Sequence, residues 1–182
     1  MLLHVVYFLG SDYQLPRHVA ATFVKSGVKH NILDVGAGTG LLGVFLKHAG
    51  LTKIDGIDIS PQMLSEAERK GCYRQLYEAN LTLPLTLISD ESYNGIVSSG
   101  TFTNGHLGPS VLDELLRIAQ PNALFAFSVN ANHWRSQKFS EALTKLAQKI
   151  KKFRIKNVRI YGDKATGPNK DDMCHIVQFL KS

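Results

Sequence analysis

Three glycines and an aspartate in the first third of the sequence have the types and spacing needed to bind a nucleoside. Gly36, Gly38 and Gly40 follow an apolar segment at residues 31–35. A glycine-rich turn after a strand lets a ligand approach the bare backbone. Asp58 ends the next apolar segment, where a carboxylate can accept hydrogen bonds from ribose hydroxyls. This order of strand, turn, helix, strand and acid predicts a nucleoside-binding α/β domain.

The spacing of these glycines separates two cofactors. A dinucleotide-binding turn, G-x-G-x-x-G, requires a glycine at position 41, where this sequence has Leu41. The turn instead has the form D-x-G-x-G-x-G and begins at Asp34. Together with the acid at Asp58, it resembles the first motif and the second strand of class I S-adenosylmethionine-dependent methyltransferases. The resemblance implies S-adenosyl-L-methionine as cofactor and S-adenosyl-L-homocysteine as product.

Longer runs of sequence are similar to one branch of that class, the family of the methyltransferase-like protein of the Williams–Beuren region. The runs are residues 55–61, 98–109 and 125–130, of which the second is the most specific. The resemblance extends over more than half of the chain. It implies an α/β fold with a doubly wound, Rossmann-like seven-stranded sheet whose last strand is antiparallel.

The pattern of apolar residues agrees with that fold. Strands and amphipathic helices alternate, which is typical of a parallel sheet covered on both faces. The predicted strands are 31–35, 53–59, 75–79, 93–99, 123–129, 158–161 and 173–180, and the predicted helices are 16–27, 41–50, 61–70, 109–119 and 139–150. The connection 162–172 has no helical pattern, so we predict a long hairpin and an antiparallel last strand.

The resemblance also assigns cofactor contacts to residues at the ends of the first four strands. They are Asp34, Gly36, Ala37 and Gly38 in the turn, Asp58 and Ile59 after the second strand, Met63 against adenine, Asn80 and Leu81 after the third strand, and Ser98 after the fourth. Asn80 and Asn94 stand where the family usually has acids. An amide accepts a weaker hydrogen bond than a carboxylate, so we expect both replacements to lower affinity.

Methyl transfer is an in-line displacement for which orientation and one base suffice. His106, in the loop after the fourth strand, is the candidate base, ahead of His133 and Tyr13. The sequence contains no pair of carboxylates that suggests a metal. Two alternatives stay open. One is a non-catalytic S-adenosylmethionine-binding module, favoured by Asn80 and Asn94. The other is a nicotinamide-dependent oxidoreductase, against which the hairpin and the glycine spacing weigh.

Composition favours one domain over residues 1–182. The 182 residues are 44% hydrophobic, and the two cysteines form neither a metal-ligand pair nor a disulfide framework, so a cytoplasmic location is expected. The apolar start at residues 1–9 is too short to cross a bilayer. We expect residues 1–30 to form a helical cover that is shortened relative to the family, and the protein to be a monomer or weak dimer.

The net charge of +6 is concentrated at residues 145–159, which contain seven basic residues and no acid. Bases on the outer face of an amphipathic helix are usually only solvated. We therefore expect a small-molecule acceptor, and a nucleic acid is the less favoured partner.

Overall fold

Seven strands form one mixed sheet in the computed structural model, which describes residues 12–182. In chain order they are β1 (Ile32–Val35), β2 (Ile54–Asp58), β3 (Gln75–Glu78), β4 (Tyr93–Phe102), β5 (Ala119–Asn130), β6 (Ile150–Arg159) and β7 (Met173–Lys181). Their order across the sheet is β3-β2-β1-β4-β5-β7-β6. All neighbouring pairs among the first five strands are parallel, whereas β7 is antiparallel to both β5 and β6. The predicted fold class is confirmed.

Six helices of the described chain cover the two faces of this sheet. They are α1 (Leu15–Val24), α2 (Leu41–His48), α3 (Pro61–Arg69), α4 (Leu112–Ile118), α5 (Ala131–Ser136) and α6 (Phe139–Lys145). α1 and α2 contribute to one hydrophobic core, and α4 and α6 to the other, on the opposite face. The connection from β3 to β4, residues 79–92, consists of turns where a helix usually stands in such folds.

The central strands are buried on both faces, which explains why they are near-continuous apolar runs in the sequence. All four residues of β1 are buried, and only Asp34 among them is polar. Between β4 and α1 the packing is close at Gly95. A Cβ at this position would lie 2.4 Å from Cζ of Phe23, so the glycine makes room for the aromatic ring.

The predicted helix at 139–150 is wrong in its second half. α6 ends at Lys145, and the chain turns at residues 146–149 before β6 begins at Ile150. Leu146 and Ile150 continue the helical spacing by coincidence. β-branched residues from Ile150 onward favour a strand, and pairing with β7 supplies its ladder. The basic stretch is therefore largely on a strand, not on a helix face. Helix α5 was not predicted; the Asn130 side chain caps it by accepting from the N–H of Asn132 at 2.9 Å.

β4 is longer than predicted and contains an irregularity that matters for the site. The strand continues to Phe102, and its register with β5 shifts between Ser98 and Phe102. The Ser128 hydroxyl accepts a hydrogen bond from the N–H of Gly100 at 2.9 Å and so holds this bulge. Ser98 thus lies inside β4, not after it. Bulges of this kind often redirect side chains next to functional sites.

The described chain begins beside the end of β6. The N–H of Gln14 donates to the carbonyl of Ile160 at 2.9 Å, and the N–H of Gly162 donates to that of Asp12 at 2.8 Å. The apolar segment 1–9 lies outside the described residues. Among residues 12–182, no helix is both long enough and apolar enough to cross a bilayer.

The contact between Gly95 and Phe23 gives a test of the packing. We expect Gly95→Ala to lower the free energy of unfolding by about 1–3 kcal/mol, because the added methyl overpacks the core. Phe23→Leu creates space beside the added methyl. The double variant should therefore lose about 1 kcal/mol less stability than the sum of the two single losses. Urea unfolding of the four proteins measures this coupling. Strict additivity would show that the ring does not occupy the space above Gly95.

Candidate functional site

The glycine turn between β1 and α2 is fixed to the end of β2. Gly36, Gly38 and Gly40 all have positive φ, at 69°, 53° and 85°. The N–H groups of Gly36 and Ala37 both donate to the carbonyl of Ile57, at 2.8 and 3.0 Å. The turn therefore stands at the carboxyl ends of β1 and β2, the usual ligand position in open α/β sheets.

The three glycines have different surroundings. A Cβ on Gly36 would lie 2.1 Å from Oγ1 of Thr101, and one on Gly40 would lie 3.1 Å from the ring of Tyr73. A Cβ on Gly38 would meet no atom closer than the Gly36 carbonyl oxygen at 4.0 Å. Packing inside the protein thus requires glycine at 36 and 40, and the open space lies at Gly38.

Asp58 is joined to this turn through backbone hydrogen bonds. Its Oδ2 accepts from the N–H of Gly38 at 2.8 Å, and its Oδ1 accepts from the N–H of Ser60 at 2.9 Å. Because a carboxylate has about four acceptor positions, both oxygens can still accept from a ligand. Ile59, the next residue, is 62% exposed. Met63 is half-buried on α3, where its N–H donates to the Ser60 side chain.

Asp34 is a buried carboxylate with only part of its hydrogen-bonding capacity used. It is 1% exposed, and its Oδ2 accepts from the Tyr73 hydroxyl at 2.6 Å. Its Oδ1 has no hydrogen-bond partner among residues 12–182. Burial raises the pKa of Asp34 to about 7; the Tyr73 hydrogen bond opposes this rise, and the charge of Asp58 adds to it. Such a carboxylate is poised to meet a donor or a cation.

Tyr73 is a site residue that sequence analysis missed. Cβ atoms on Gly43 and Gly56 would lie 2.5 and 3.2 Å from its ring. With Gly40, these glycines form a cradle that lets the ring reach Asp34. The signal was present as glycines inside a helix and a strand, where glycine costs stability and marks close approach.

Two hydroxyls on β4 hold the turn from the other side. Ser98 and Thr101 both donate to the carbonyl of Val35, at 2.7 and 3.1 Å. Ser98 is buried, so its hydroxyl supports the last residue of β1. Thr101 was not predicted, and it fills the space above Gly36.

Tyr13 reaches the same region from the start of the described chain. Its hydroxyl would lie 2.5 Å from a Cβ on Gly100. Burial raises the pKa of the Tyr13 phenol above its ordinary value, and the nearby Ser99 side chain opposes this effect. Tyr13 therefore adjoins the bulge of β4, next to the carboxyl ends of the strands.

The residues after β3 are only partly placed as predicted. The Oδ1 of Asn80 accepts from both the N–H and the hydroxyl of Thr82, at 2.9 and 2.7 Å, and an amide oxygen has two lone pairs. The Leu81 side chain is buried in the core. A mainly apolar cavity of about 200 Å³ lies between the 79–88 segment and the sheet, with Asn80 and Ile57 in its lining. Of the predicted cofactor residues only Asn80 lines it, so the cavity lies beside the glycine turn and not at it.

The expectation that Asn94 affects the cofactor is wrong. Asn94 is at the amino end of β4, where its N–H donates to the carbonyl of Asn31 and its side chain to Gln120. The glycine turn lies at the opposite end of these parallel strands.

The two histidine candidates differ in their surroundings. His106 is exposed in the loop after β4. His133 is buried; its Nε2 lies 2.8 Å from the carbonyl of Leu107, and its ring packs against Phe139. His133 thus has a structural role, whereas His106 stays a prediction. Among residues 12–182, no three His, Cys, Asp or Glu side chains are grouped to hold a metal ion.

Known proteins resemble this chain in sequence. The profile of the methyltransferase domain family matches residues 32–122. Human methyltransferase-like protein 27 is 27% identical over 135 residues, which make up 72% of this chain and 54% of that protein. The chain therefore spans about half the length of this curated relative.

Solved structures share the fold at low sequence identity. The N-methyltransferase NodS from Bradyrhizobium japonicum, in complex with S-adenosylhomocysteine, is 14% identical, with a TM-score of 0.65 over 91% of this chain and 85% of that one. The tRNA methyltransferase TrmI from Aquifex aeolicus is 10% identical, with a TM-score of 0.66 over 92% and 69%.

The raised pKa of Asp34 predicts a pH dependence of stability. Its folded pKa of about 7 lies above the ordinary 3.8, so the folded state binds more protons between these values. The free energy of unfolding should then fall as pH rises from about 4 to 7, by up to about 1.4 kcal/mol per unit. Asp34→Asn should remove this decline, and Tyr73→Phe should extend it to higher pH. Denaturant unfolding across this range measures both. Parallel pH curves for the wild type and Asp34→Asn would contradict the assignment.

Proposed function

The chain belongs to the methyltransferase domain family, and on that premise we propose that it transfers a methyl group from S-adenosyl-L-methionine to a small molecule or to an exposed group. The predicted class of S-adenosylmethionine-dependent methyltransferases is confirmed by this membership, by the human relative and by the fold. The acceptor and the direct mode of transfer are part of the proposal.

The observation that carries the proposal is the open space at Gly38 beside the Asp58 carboxylate. Their hydrogen bond of 2.8 Å fixes the carboxylate against the only glycine of the turn with free space above it. A nucleoside that approaches Gly38 brings its ribose hydroxyls to Asp58, which has acceptor positions left. The exposed Ile59 side chain then offers an apolar surface to adenine.

Asp34 supports a cofactor that carries an amino acid. Its unpaired Oδ1 is buried at the base of the turn. The ammonium group of the methionine portion can donate the hydrogen bond that this oxygen lacks. A cation near a buried carboxylate also lowers the pKa of that carboxylate. The residues present therefore fit both the ribose and the amino acid portions of S-adenosylmethionine.

The chemistry asks little of the protein beyond orientation. Bound S-adenosylmethionine supplies an electrophilic methyl group, and S-adenosylhomocysteine is released. The turn, Asp58 and Asp34 hold the donor in place, which converts a bimolecular displacement into an oriented one. His106 is proposed to take a proton from the acceptor, because it is exposed in the loop after β4.

A second candidate function is a module that binds S-adenosylmethionine without turnover. The observation that favours it is the saturated Asn80 oxygen, which would have to release Thr82 before it could accept from adenine. Methyl-transfer assays on a panel of acceptors, beside calorimetry with S-adenosylmethionine, distinguish the two. Binding without turnover on every acceptor would favour the module.

We propose that the activity is in the cytoplasm. Both cysteines, Cys72 and Cys174, are buried and free, as suits a reducing compartment.

The first test of the proposed function is Asp58→Ala. Hydrogen bonds to a charged group contribute about 1.5–3 kcal/mol each, so losing two should weaken S-adenosylhomocysteine binding by about a hundredfold or more. Isothermal calorimetry measures the affinity. Asp58 also holds the backbone of Gly38 and Ser60, so thermal unfolding must accompany it. Asp58→Asn keeps the shape and should lose about tenfold. Unchanged affinity in either folded variant would refute the cofactor assignment.

The second test uses two glycines with similar positive φ angles. Gly38 and Gly71 have φ of 53° and 59°, and both face open space. Replacement by alanine at either position should therefore cost a similar stability, about 1–2 kcal/mol. Only Gly38→Ala places a methyl where the cofactor approaches, so we expect it alone to lose affinity for S-adenosylhomocysteine, by about tenfold or more. Equal affinities for the two variants would show that the cofactor does not approach Gly38.

A further inference from the structure

We infer that the strand β6 carries a second binding surface, whose partner is a single-stranded nucleic acid. The surface, here called the basic edge, consists of Lys151, Arg154 and Lys156 together with the exposed side chains of Phe153 and Ile155. It lies outside the cofactor site, and the inference does not rest on the proposed function.

The first observation is that the cations of the basic edge form no ion pair within the part of the chain that the structure describes. Elsewhere in the basic stretch, Lys149 pairs with Asp113 at 2.6 Å and Arg159 with Asp163 at 3.4 Å. Lys151, Arg154 and Lys156 are all exposed, and none of them forms an ion pair with a carboxylate of residues 12–182. Unneutralised cations in a row are the electrostatic signature of a surface that contacts phosphates.

The second observation is that Arg154 and Lys156 lie on the face of the sheet that α1 covers. Arg154 and Lys156 pair with Gln178 and Ile176 of β7, and Ile176 packs in the core that contains α1. Directly opposed residues share a face of the sheet, so both cations lie on the α1 face. His18 of α1 agrees with this: burial lowers its pKa, and the charges of Lys156 and Arg17 lower it further.

The third observation is that β6 differs from an edge strand that is only protected against pairing with another strand. Edge strands are commonly blunted by lysine and by bulges, which prevent another strand from adding. β6 has such a bulge, with a register shift between Lys151 and Arg154 and a positive φ at Lys152. Protection gains nothing, however, from exposed apolar side chains, which favour association. Phe153 and Ile155 are nevertheless 44% and 43% exposed.

Cations interleaved with an exposed aromatic ring fit a nucleic acid strand. Lysine and arginine neutralise phosphates, and an aromatic ring offers a surface on which a base stacks regardless of its identity. An acidic peptide would use the cations alone. A membrane would need cations and apolar groups in one plane, but Ile155 pairs with Val177 on the face opposite to Lys156. A flexible strand can pass along the edge and contact both faces.

The experiment is fluorescence anisotropy with a labelled oligouridylate of about 15 nucleotides, in the range bound by single-stranded nucleic acid sites. Lys151→Gln, Arg154→Gln and Lys156→Gln are combined in one variant. The matched control combines Lys25→Gln, Lys29→Gln and Lys53→Gln, which are exposed, have no ion pair within the described chain and remove the same charge. Thermal unfolding checks that both variants are folded.

We expect the first variant to bind at least about tenfold more weakly at low salt, and the slope of log affinity against log salt to flatten by about 2, since each phosphate contact contributes about 0.7. The control should change affinity by less than about threefold. Phe153→Ala should weaken binding about fivefold or more through lost stacking, while Phe45→Ala, at a 39% exposed ring on α2, should not.

Three results would overturn the inference. The first is an equal loss in the two triple variants, which would indicate only net charge. The second is an affinity for polyglutamate as high as for the oligonucleotide, which would indicate an acidic protein partner. The third is equally tight binding to phosphatidylserine vesicles, which would indicate a membrane surface.

Discussion

The candidate site depends on the glycine turn between β1 and α2 being held in one conformation. Glycine is the residue that loses most conformational freedom on folding, so a turn with three of them needs external support. β2 supplies it through the Ile57 carbonyl and the Asp58 carboxylate, and β4 supplies it through the hydroxyls of Ser98 and Thr101 on the last residue of β1. The open face at Gly38 exists because all other sides are occupied.

Two buried acids differ in how fully their oxygens are hydrogen-bonded. Asp55 is 1% exposed, and both of its oxygens are paired: Arg74 donates to them at 2.9 and 2.6 Å, and the Tyr93 hydroxyl donates to Oδ2 at 3.0 Å. Asp34 is equally buried but has one donor, Tyr73. Folding alone favours satisfying a buried carboxylate. The unfinished pairing at Asp34 is therefore typical of a group kept for a ligand, whereas Asp55 joins β2 to Arg74 before β3 and to Tyr93 of β4.

The sequence predicted those features that depend on neighbours along the chain. The alternation of strands and helices followed from apolar periodicity, the antiparallel β7 from a connection with no helical pattern, and the site from a turn whose residues are contiguous. Contacts across the fold could not be seen. Tyr73 bonds an acid 39 residues away, and Ser98 a carbonyl 63 residues away. Periodicity also failed at the end of α6. Leu146 and Ile150 continue the helical spacing of apolar residues, although they lie in a turn and at the start of β6.

The end of β6 lies at the same edge of the sheet as the glycine turn, because of the direction of this strand. β6 and β5 are both antiparallel to β7, so β6 ends, as β1 and β4 do, toward the glycine turn. Directly after it, residues 160–162 pair with residues 12–14, and Tyr13 extends from this pairing to the bulge at Ser99 and Gly100. A strand bound along β6 would thus approach the candidate site past Tyr13. The bulge that Ser128 maintains lies against Tyr13, and it is on the same strand as Ser98 and Thr101, whose hydroxyls hold the glycine turn.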